Sequence, residues 1–200
     1  MDACCINEKV WLGVYPATTL HEAWSHPQLR RLRERLARGD FGLGCGSCGA
    51  AYRRGERHLT HAESFDRFLE DPPSPYPRVL EFSLSNRCNL ACVMCSGDVS
   101  SRIRAERERL PPLRSPYDDA FFAELEHFLP HLESAFFAGG EPFLSPLNDR
   151  VWDSMLRLDA VPRIGVTTNG TVVGDRVEHY LRSLRMDVSV SIDGTTAATN

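Results

Sequence analysis

The sequence lacks the features that would direct a first interpretation toward membranes, secretion or polyanions. No apolar run approaches the roughly 18 residues of a membrane span, and the polar start of the chain is not a secretion signal. A net charge of -4 provides no general attraction to nucleic acid or to an anionic membrane. These absences predict a cytoplasmic protein whose partners include neither a membrane nor a nucleic acid.

One stretch of the chain could still form a local basic patch. Residues 102–109 contain four arginines, with two glutamates between them. Alternating charges of this kind favour a solvated helix face with ion pairs along it over a nucleic-acid surface. The arginines are Arg102, Arg104, Arg107 and Arg109.

Disulfides are not the expected use of the cysteines. The chain has seven of them, an odd number, and its polar first residues lead us to expect no secretion signal. In a reducing compartment, metal ligation or redox chemistry is the better interpretation. The cysteines fall into three groups along the sequence, which supports metal ligation. The groups are Cys4 with Cys5, Cys45 with Cys48, and Cys88 with Cys92 and Cys95.

A proline-rich segment divides the chain into two parts. Four prolines lie within residues 72–77, where they forbid a helix and favour an extended connector. We therefore predict a small cysteine-containing domain of helices and loops over residues 1–70, a linker over 71–78, and a second domain over 79–200. In the first domain, Thr19 and Glu22 form a possible capping box, and Pro27 opens a second helix.

The second domain shows strands and helices in alternation, which predicts an α/β fold with a parallel sheet. Strands are expected at residues 79–84, 135–137, 164–167 and 188–192, and helices at 118–129, 145–158 and 175–185. The chain stops shortly after the fourth strand, which leaves an apolar edge. Either more chain or another subunit would cover that edge, and we favour a fragment of a longer protein.

Three thiols lie within eight residues at Cys88, Cys92 and Cys95. A single loop can wrap such a set around one corner of a metal cluster. Iron-sulfur cubanes usually take four cysteine thiolates, so three ligands leave one iron open to an outside ligand. Zinc is the alternative, although it prefers paired cysteines and a closed fourth position. The spacing favours a 4Fe-4S cluster with one reactive iron.

At these residues the sequence resembles the radical S-adenosylmethionine (SAM) superfamily. The signature of that family is three cysteines at the same spacing, after the first strand of a (β/α)6 partial barrel. Met94 is a departure, because the family commonly has an aromatic residue there. The resemblance implies a partial barrel of the radical SAM type, truncated here after about four strands.

Further segments resemble the cofactor motifs of the family, each at the carboxyl end of a predicted strand. In isolation they are plain turn formers, and only their order together favours a cofactor site. The resemblance implies that glycines admit the methionyl part of SAM and that Glu141 receives its ammonium. It also implies that Ser191 and Asp193 bind its ribose. The implied residues are Gly139, Gly140, Glu141, Thr168, Asn169, Ser191 and Asp193.

The resemblance also implies a mechanism and partners. The cofactor would chelate the open iron, and the reduced cluster would pass one electron to the sulfonium. Methionine and a 5′-deoxyadenosyl radical result, and the radical takes a hydrogen atom from the substrate. A one-electron reductant such as a flavodoxin or a ferredoxin is required. The substrate is expected to be a peptide or protein side chain, or else a small molecule.

The N-terminal cysteines resemble part of a SPASM-type auxiliary cluster domain. The resemblance includes the helix from Leu20 to Trp24 and the glycine-flanked pair Cys45 and Cys48. It implies an auxiliary iron-sulfur cluster, for which we favour Cys5 as the third ligand. Zinc or no metal are the alternatives left open.

Two further possibilities concern the first domain and the whole chain. His58 or His61 could supply a fourth ligand, although solvent exposure is the simpler interpretation. The SPASM-like piece could also be the tail of a preceding unit. The competing function for the whole chain is a non-catalytic iron-sulfur or zinc module that turns nothing over.

Overall fold

The computed structural model describes residues 1–4, 7, 9–68, 74–192 and 194. It divides the chain into two compact units, Met1–Pro75 and Tyr76–Asn200. The division lies inside the predicted linker, of which residues 71–73 are outside the described ranges. Within these ranges, no helix is both long and apolar enough to cross a membrane.

The first unit consists of short helices. They are α1 (Leu20–Trp24), α2 (Pro27–Ala37), α3 (Gly46–Arg53) and the 3-10 segments Arg57–Leu59 and His61–Phe68. The predicted capping box is confirmed, because the Thr19 side chain accepts from the Glu22 N–H and the Glu22 carboxylate accepts from the Thr19 N–H. The predicted start of α2 at Pro27 is confirmed as well.

A small apolar core holds the first unit together. It packs the chain before α1 against one face of α1 and α2. Leu29 and Leu32 are buried, whereas Leu36, one turn further along the same helix, is 38% exposed. The core residues are Val10, Leu12, Ala23, Leu29 and Leu32, with Ala3, Trp24 and Cys45 among those packed against them.

The second unit is built on a parallel four-stranded sheet in the order β1-β2-β3-β4. Its strands are β1 (Val79–Phe82), β2 (Ser134–Phe137), β3 (Arg163–Thr168) and β4 (Met186–Val190). All four carboxyl ends therefore meet at one edge of the sheet, where ligands of open parallel sheets bind. The predicted α/β architecture is confirmed as an open sheet, consistent with a partial radical SAM barrel.

Four α-helices accompany the strands in the part of this unit that the structure describes: α4 (Ser101–Glu106), α5 (Asp119–Glu126), α6 (Pro146–Arg157) and α7 (Asp175–Ser183). Ser145 caps α6 as predicted, since its side chain accepts from the Asn148 N–H. Helix α5 ends earlier than the pattern suggests, because a 3-10 turn over Leu129–His131 follows it. Element boundaries are the least reliable part of a prediction from sequence patterns.

The core of the second unit is centred on Trp152, which is fully buried. Its ring lies 5.2 Å from that of Phe137 and 5.0 Å from that of Tyr180. The ring of Phe82 stacks on that of Phe137 at 4.7 Å, so β1 and β2 are joined by aromatic packing as well as by backbone bonds. This packing fixes the ends of the strands and hence the loops that follow them.

Candidate cluster and cofactor site

The three-cysteine loop begins where β1 ends, at the carboxyl edge of the sheet. Cys88, Cys92 and Cys95 form no disulfide and are partly exposed. The Cys95 N–H donates to the Cys92 carbonyl at 3.1 Å, which closes a turn between the second and third cysteines. Val93 and Met94 in this turn are 88% and 71% exposed. The loop therefore holds its thiols outside the apolar core.

Two serines at the start of α4 bind the backbone of this loop. The Ser101 hydroxyl donates to the Cys88 carbonyl and accepts from the Cys88 N–H, both at 3.1 Å. The Ser100 hydroxyl donates to the Leu90 carbonyl at 2.7 Å and caps the helix by accepting from the Ile103 N–H. The beginning of α4 thus fixes the first half of the loop.

Two arginines of the same region bind the two loop carbonyls that the serines do not contact. Arg102 Nη1 donates to the Asn89 carbonyl at 3.1 Å, and Arg107 Nη2 donates to the Ala91 carbonyl at 3.0 Å. The sequence pattern predicted only a solvated face with ion pairs. The expected pairing is present between Arg102 and Glu106 at 3.0 Å, but the contacts to the loop were missed. The sequence feature that could have predicted these contacts is Ser-Ser-Arg at residues 100–102, where the helix after the cysteines begins.

The Cys88 sulfur receives two N–H groups. The Leu90 N–H donates to its Sγ at 3.5 Å, and the side-chain amide of Asn169 approaches it at 3.9 Å. Hydrogen bonds to ligating sulfurs are among the factors that set the potential of an iron-sulfur cluster. Asn169 comes from the loop after β3, so the first cysteine is contacted by a loop that lies two strands away in the sheet.

The glycine turn after β2 packs against the cysteine loop. Gly139 and Gly140 have φ of +81° and +61°, values that favour glycine. A Cβ on Gly139 would lie 2.3 Å from the Ser83 hydroxyl, and one on Gly140 would lie 2.4 Å from the Arg87 carbonyl. Close approach to the chain after β1 therefore requires both glycines. Their approach to a cofactor stays a prediction.

Glu141 is fully buried at the end of this turn. Its Oε1 accepts from the Thr168 hydroxyl at 2.7 Å and from the Phe143 N–H at 3.1 Å, while Oε2 accepts from the Asn169 N–H at 2.8 Å. A carboxylate offers about four acceptor positions, and three are engaged here. Glu141 thus joins the loops after β2 and β3, and its contact with the cofactor ammonium stays a prediction.

Asn169 continues this connection to the cysteine loop. Its side-chain amide donates to Asn89 Oδ1 at 3.0 Å, and its Oδ1 accepts from the Thr171 hydroxyl at 2.7 Å. The Asn89 amide donates in turn to the Thr171 hydroxyl at 2.8 Å. Glu141, Thr168 and Asn169, which the sequence motifs singled out, therefore form one network that ends beside Cys88.

The fourth motif is only partly described. The Ser191 N–H donates to the Thr168 carbonyl at 2.9 Å, which places Ser191 beside the end of β3. Its side chain is exposed, as contact with a ribose requires. Asp193 lies outside the described residues. Both ribose contacts stay predictions.

The donor set of the loop fits a 4Fe-4S cluster better than it fits a single ion. Three cysteine thiols and no carboxylate or imidazole stand in residues 88–95. In the described part of the chain, no three His, Cys, Asp or Glu side chains are gathered as ligands of one metal ion. A cubane binds each thiolate at a different iron, so its ligands need not converge on one point.

The first unit carries a cysteine pair at the start of a helix. Cys45 is the N-cap residue of α3, and Cys48 lies in its first turn. Burial raises the pKa of the Cys45 thiol, a hydrogen bond from Asn7 opposes this rise, and the nearby Cys48 and Cys4 add to it. Cys5, the predicted third ligand, lies outside the described residues.

Asn7 supports the cysteine pair. It is 4% exposed, and its amide donates to the Leu43 carbonyl at 2.8 Å and to Cys45 Sγ at 3.4 Å. His58 is exposed, in line with the simpler interpretation of that histidine. The side chain of His61 is outside the described set.

Comparisons with known proteins agree with this arrangement. The sequence model of the Radical SAM superfamily matches residues 82–198. An AdoMet-dependent heme synthase of Methanosarcina barkeri is 30% identical over 130 residues, which cover 62% of this chain and 33% of that protein. A GTP 3′,8-cyclase of Parasynechococcus marenigrum is 32% identical over 139 residues, 65% of this chain and 38% of that protein. No solved structure matches the chain significantly.

A parallel sheet with a three-cysteine loop after its first strand defines an enzyme class that uses an iron-sulfur cluster together with SAM. The chain belongs to the radical SAM superfamily. It spans about a third of the length of the curated relatives it matches, from 33% to 38% in the two compared above. Membership implies the cluster and SAM as cofactors, and the matched residues 82–198 do not include the SPASM-like segment.

Proposed function

We propose that this chain binds a 4Fe-4S cluster through Cys88, Cys92 and Cys95 and binds SAM across the loops after β2, β3 and β4, where it is reductively cleaved. The observation that carries the proposal is the network from Glu141 through Asn169 to Cys88. A protein that only holds a metal does not require hydrogen bonds that connect the loops after β2 and β3 to one of the metal ligands.

Each group of the site has a definable part in such a reaction. When bound, the reduced cluster supplies the electron that cleaves SAM to methionine and a 5′-deoxyadenosyl radical. The three thiolates hold the cluster and leave one iron open. Glu141 and Asn169 fix the loops that would face the methionyl group, and Ser191 and Asp193 would bind the ribose hydroxyls.

The test is anaerobic reconstitution of the 200-residue chain with iron and sulfide, followed by electron paramagnetic resonance of the reduced protein. We expect about one cubane at the three-cysteine loop and a change in its signal when SAM is added. Release of 5′-deoxyadenosine after reduction would show cleavage. A cluster whose signal ignores SAM, or uptake of zinc alone, would favour the non-catalytic module instead.

The substrate class is a separate part of the proposal. The SPASM-like segment favours a peptide or protein side chain, but the matched relatives are named for GTP cyclisation and heme synthesis, so they do not support it. A substrate screen should therefore compare peptides and GTP side by side, with 5′-deoxyadenosine as the readout. Stimulation by GTP and by no peptide would overturn the peptide assignment.

We also propose a second metal in the first unit, an auxiliary iron-sulfur cluster or a zinc ion. The support is a cysteine pair at the start of a helix, held by a buried asparagine. Cys5 is the expected third ligand, while Cys4 is near enough to influence Cys45 electrostatically.

Single substitutions show whether Cys4 or Cys5 is the third ligand. Replacing the true ligand, Cys4 or Cys5, by alanine should lower the metal content of the first unit, while replacing the other should not. The measurement is iron and zinc per chain in a Cys92→Ala background, which removes the contribution of the principal cluster. Equal metal content in the Cys45→Ala and parent proteins would remove the auxiliary site from the proposal.

A further inference from the structure

The backbone of the cysteine loop is bound on one side by a single helical segment. Four consecutive carbonyls, those of residues 88 to 91, each accept a hydrogen bond from a side chain within α4 or directly next to one of its ends. Two of the donors are neutral serines and two are guanidinium groups. The donors are Ser100, Ser101, Arg102 and Arg107.

With these carbonyls held on the α4 side, one backbone N–H of the loop is directed to a thiol. The Leu90 N–H already donates to Cys88 Sγ at 3.5 Å. The loop thus has two guanidinium groups on its α4 side and a backbone donor toward the sulfur of Cys88. Net charge and hydrogen bonds to sulfur are two of the factors that set cluster potentials.

We infer that Arg102 and Arg107 are positioning residues that order the cysteine loop and raise the reduction potential of the cluster it holds. This rests on the proposed function, since it requires a cluster at Cys88, Cys92 and Cys95. Reduction adds one negative charge, which a nearby guanidinium stabilises. Removing the guanidinium therefore makes reduction harder and lowers the potential.

The two arginines are not equivalent. Arg102 is paired with the Glu106 carboxylate at 3.0 Å, which offsets much of its charge. In the described residues, no carboxylate lies within ion-pair distance of Arg107, and Arg107 contacts the carbonyl that directly precedes Cys92. Arg107 consequently has the larger effect on potential.

The experiment compares Arg107→Gln, Arg107→Lys, the double variant Arg102→Gln/Arg107→Gln and the control Arg109→Gln. Arg109 is exposed and, within the described ranges, makes no hydrogen bond or ion pair, so its replacement changes the charge equally without touching the loop. Each protein is reconstituted anaerobically. The readouts are the midpoint potential without SAM and the rate at which a chelator removes iron.

Arg107→Gln should lower the equilibrium constant for one-electron reduction by up to about tenfold, which corresponds to about 59 mV. Arg102→Gln adds a smaller decrease in the double variant. Arg107→Lys keeps the charge but not the planar fork, so its potential should stay near wild type while iron is lost faster. Arg109→Gln should match wild type in both readouts.

Wild-type potential and wild-type iron retention in Arg107→Gln would overturn the inference, as would an equal shift in Arg109→Gln. If the double variant does not fold, judged by circular dichroism, the single variants decide the matter. Hydrogen exchange of a peptide over residues 88–95 tests the ordering role without any metal, and Arg107→Gln should exchange faster. A wild-type chain that takes up no cluster would instead contradict the proposed function.

Discussion

The two units of this chain fix their cysteines in different ways. In the second unit, the loop with Cys88 is bound to a helix on one side and to the β3 loop on the other, above an extensive aromatic core. In the first unit, Cys45 and Cys48 lie at the start of one short helix over a core of five apolar residues, and Asn7 is the main polar support. The difference teaches that protein contacts from two sides order the cysteine loop of the second unit, whereas fewer polar contacts hold the cysteine pair of the first.

Replacing Cys92 by alanine should have the largest effect, because it removes one of three ligands of the principal cluster. We expect loss of nearly all iron and of the visible absorption that belongs to the second unit. Iron content and the absorption spectrum after reconstitution measure this. Cys48→Ala is the matched control and should affect only the metal of the first unit. A Cys92→Ala protein with wild-type iron would refute the cluster assignment.

Replacing Glu141 by alanine should destabilise the second unit by about 3 kcal/mol, since the Thr168 hydroxyl and two backbone N–H groups lose a buried acceptor. The cluster should remain, while SAM binding weakens because the β3 loop is no longer held. Urea denaturation and SAM titration measure the two effects.

The control for Glu141 is Glu178→Ala, which removes a solvent-exposed ion pair with Arg182 and should cost under about 0.5 kcal/mol. Lost stability with unchanged SAM affinity would show that the glycine turn and its carboxylate are structural only.

Replacing Leu32 by alanine should cost about 2 kcal/mol, near the lower end for a buried leucine, because the small core of the first unit can relax around the cavity. Faster hydrogen exchange in peptides from α1 and α2 would locate the effect. Leu36→Ala on the same helix is the control, since Leu36 is 38% exposed. Equal losses from both leucines would mean that the described core does not stabilise this unit.

Replacing Tyr180 by phenylalanine should cost about 1 kcal/mol at neutral pH, because its hydroxyl donates to Asp153 Oδ1 at 2.9 Å. Burial and this hydrogen bond raise the pKa of Tyr180. The folded state therefore keeps the proton when the unfolded chain loses it, and stability falls as pH rises above about 10.

This alkaline decrease should be smaller in Tyr180→Phe. Burial also raises the pKa of Tyr117, which contributes equally in both proteins. Urea midpoints at neutral pH and at about pH 10.5 measure the difference. Identical pH dependence in the two proteins would contradict the contribution assigned to Tyr180.

Local sequence patterns predicted much of the fold. Short apolar runs located the four strands, and apolar residues recurring on one face located the main helices. Thr19, Pro27 and Ser145 marked helix starts by chemistry that acts within a few residues. Strand and helix ends were less well placed, since the 3-10 turn after α5 depends on packing rather than on a local signal.

The site was predictable where spacing carries the chemistry, as for Cys88, Cys92 and Cys95. The contacts of Arg107 with the Ala91 carbonyl and of Glu141 with Thr168 were not. Both join residues whose distance in space follows from the sheet and from the position of α4, and neither has a local pattern of its own. The glycine turn illustrates the same limit, because its glycines are required by the neighbouring chain near Ser83 and Arg87.

The four bound carbonyls of the cysteine loop also bear on how a cluster would assemble. Ordering the backbone of one residue costs about 1–2 kcal/mol of conformational entropy. Because the four carbonyls are already bound in the folded chain, this ordering takes place during folding and not when the metal binds. Once one cysteine has bound iron, the other two act at a high effective concentration. The supply of iron and sulfide, and not the conformational rearrangement of the cysteine loop, would then limit the rate of cluster assembly.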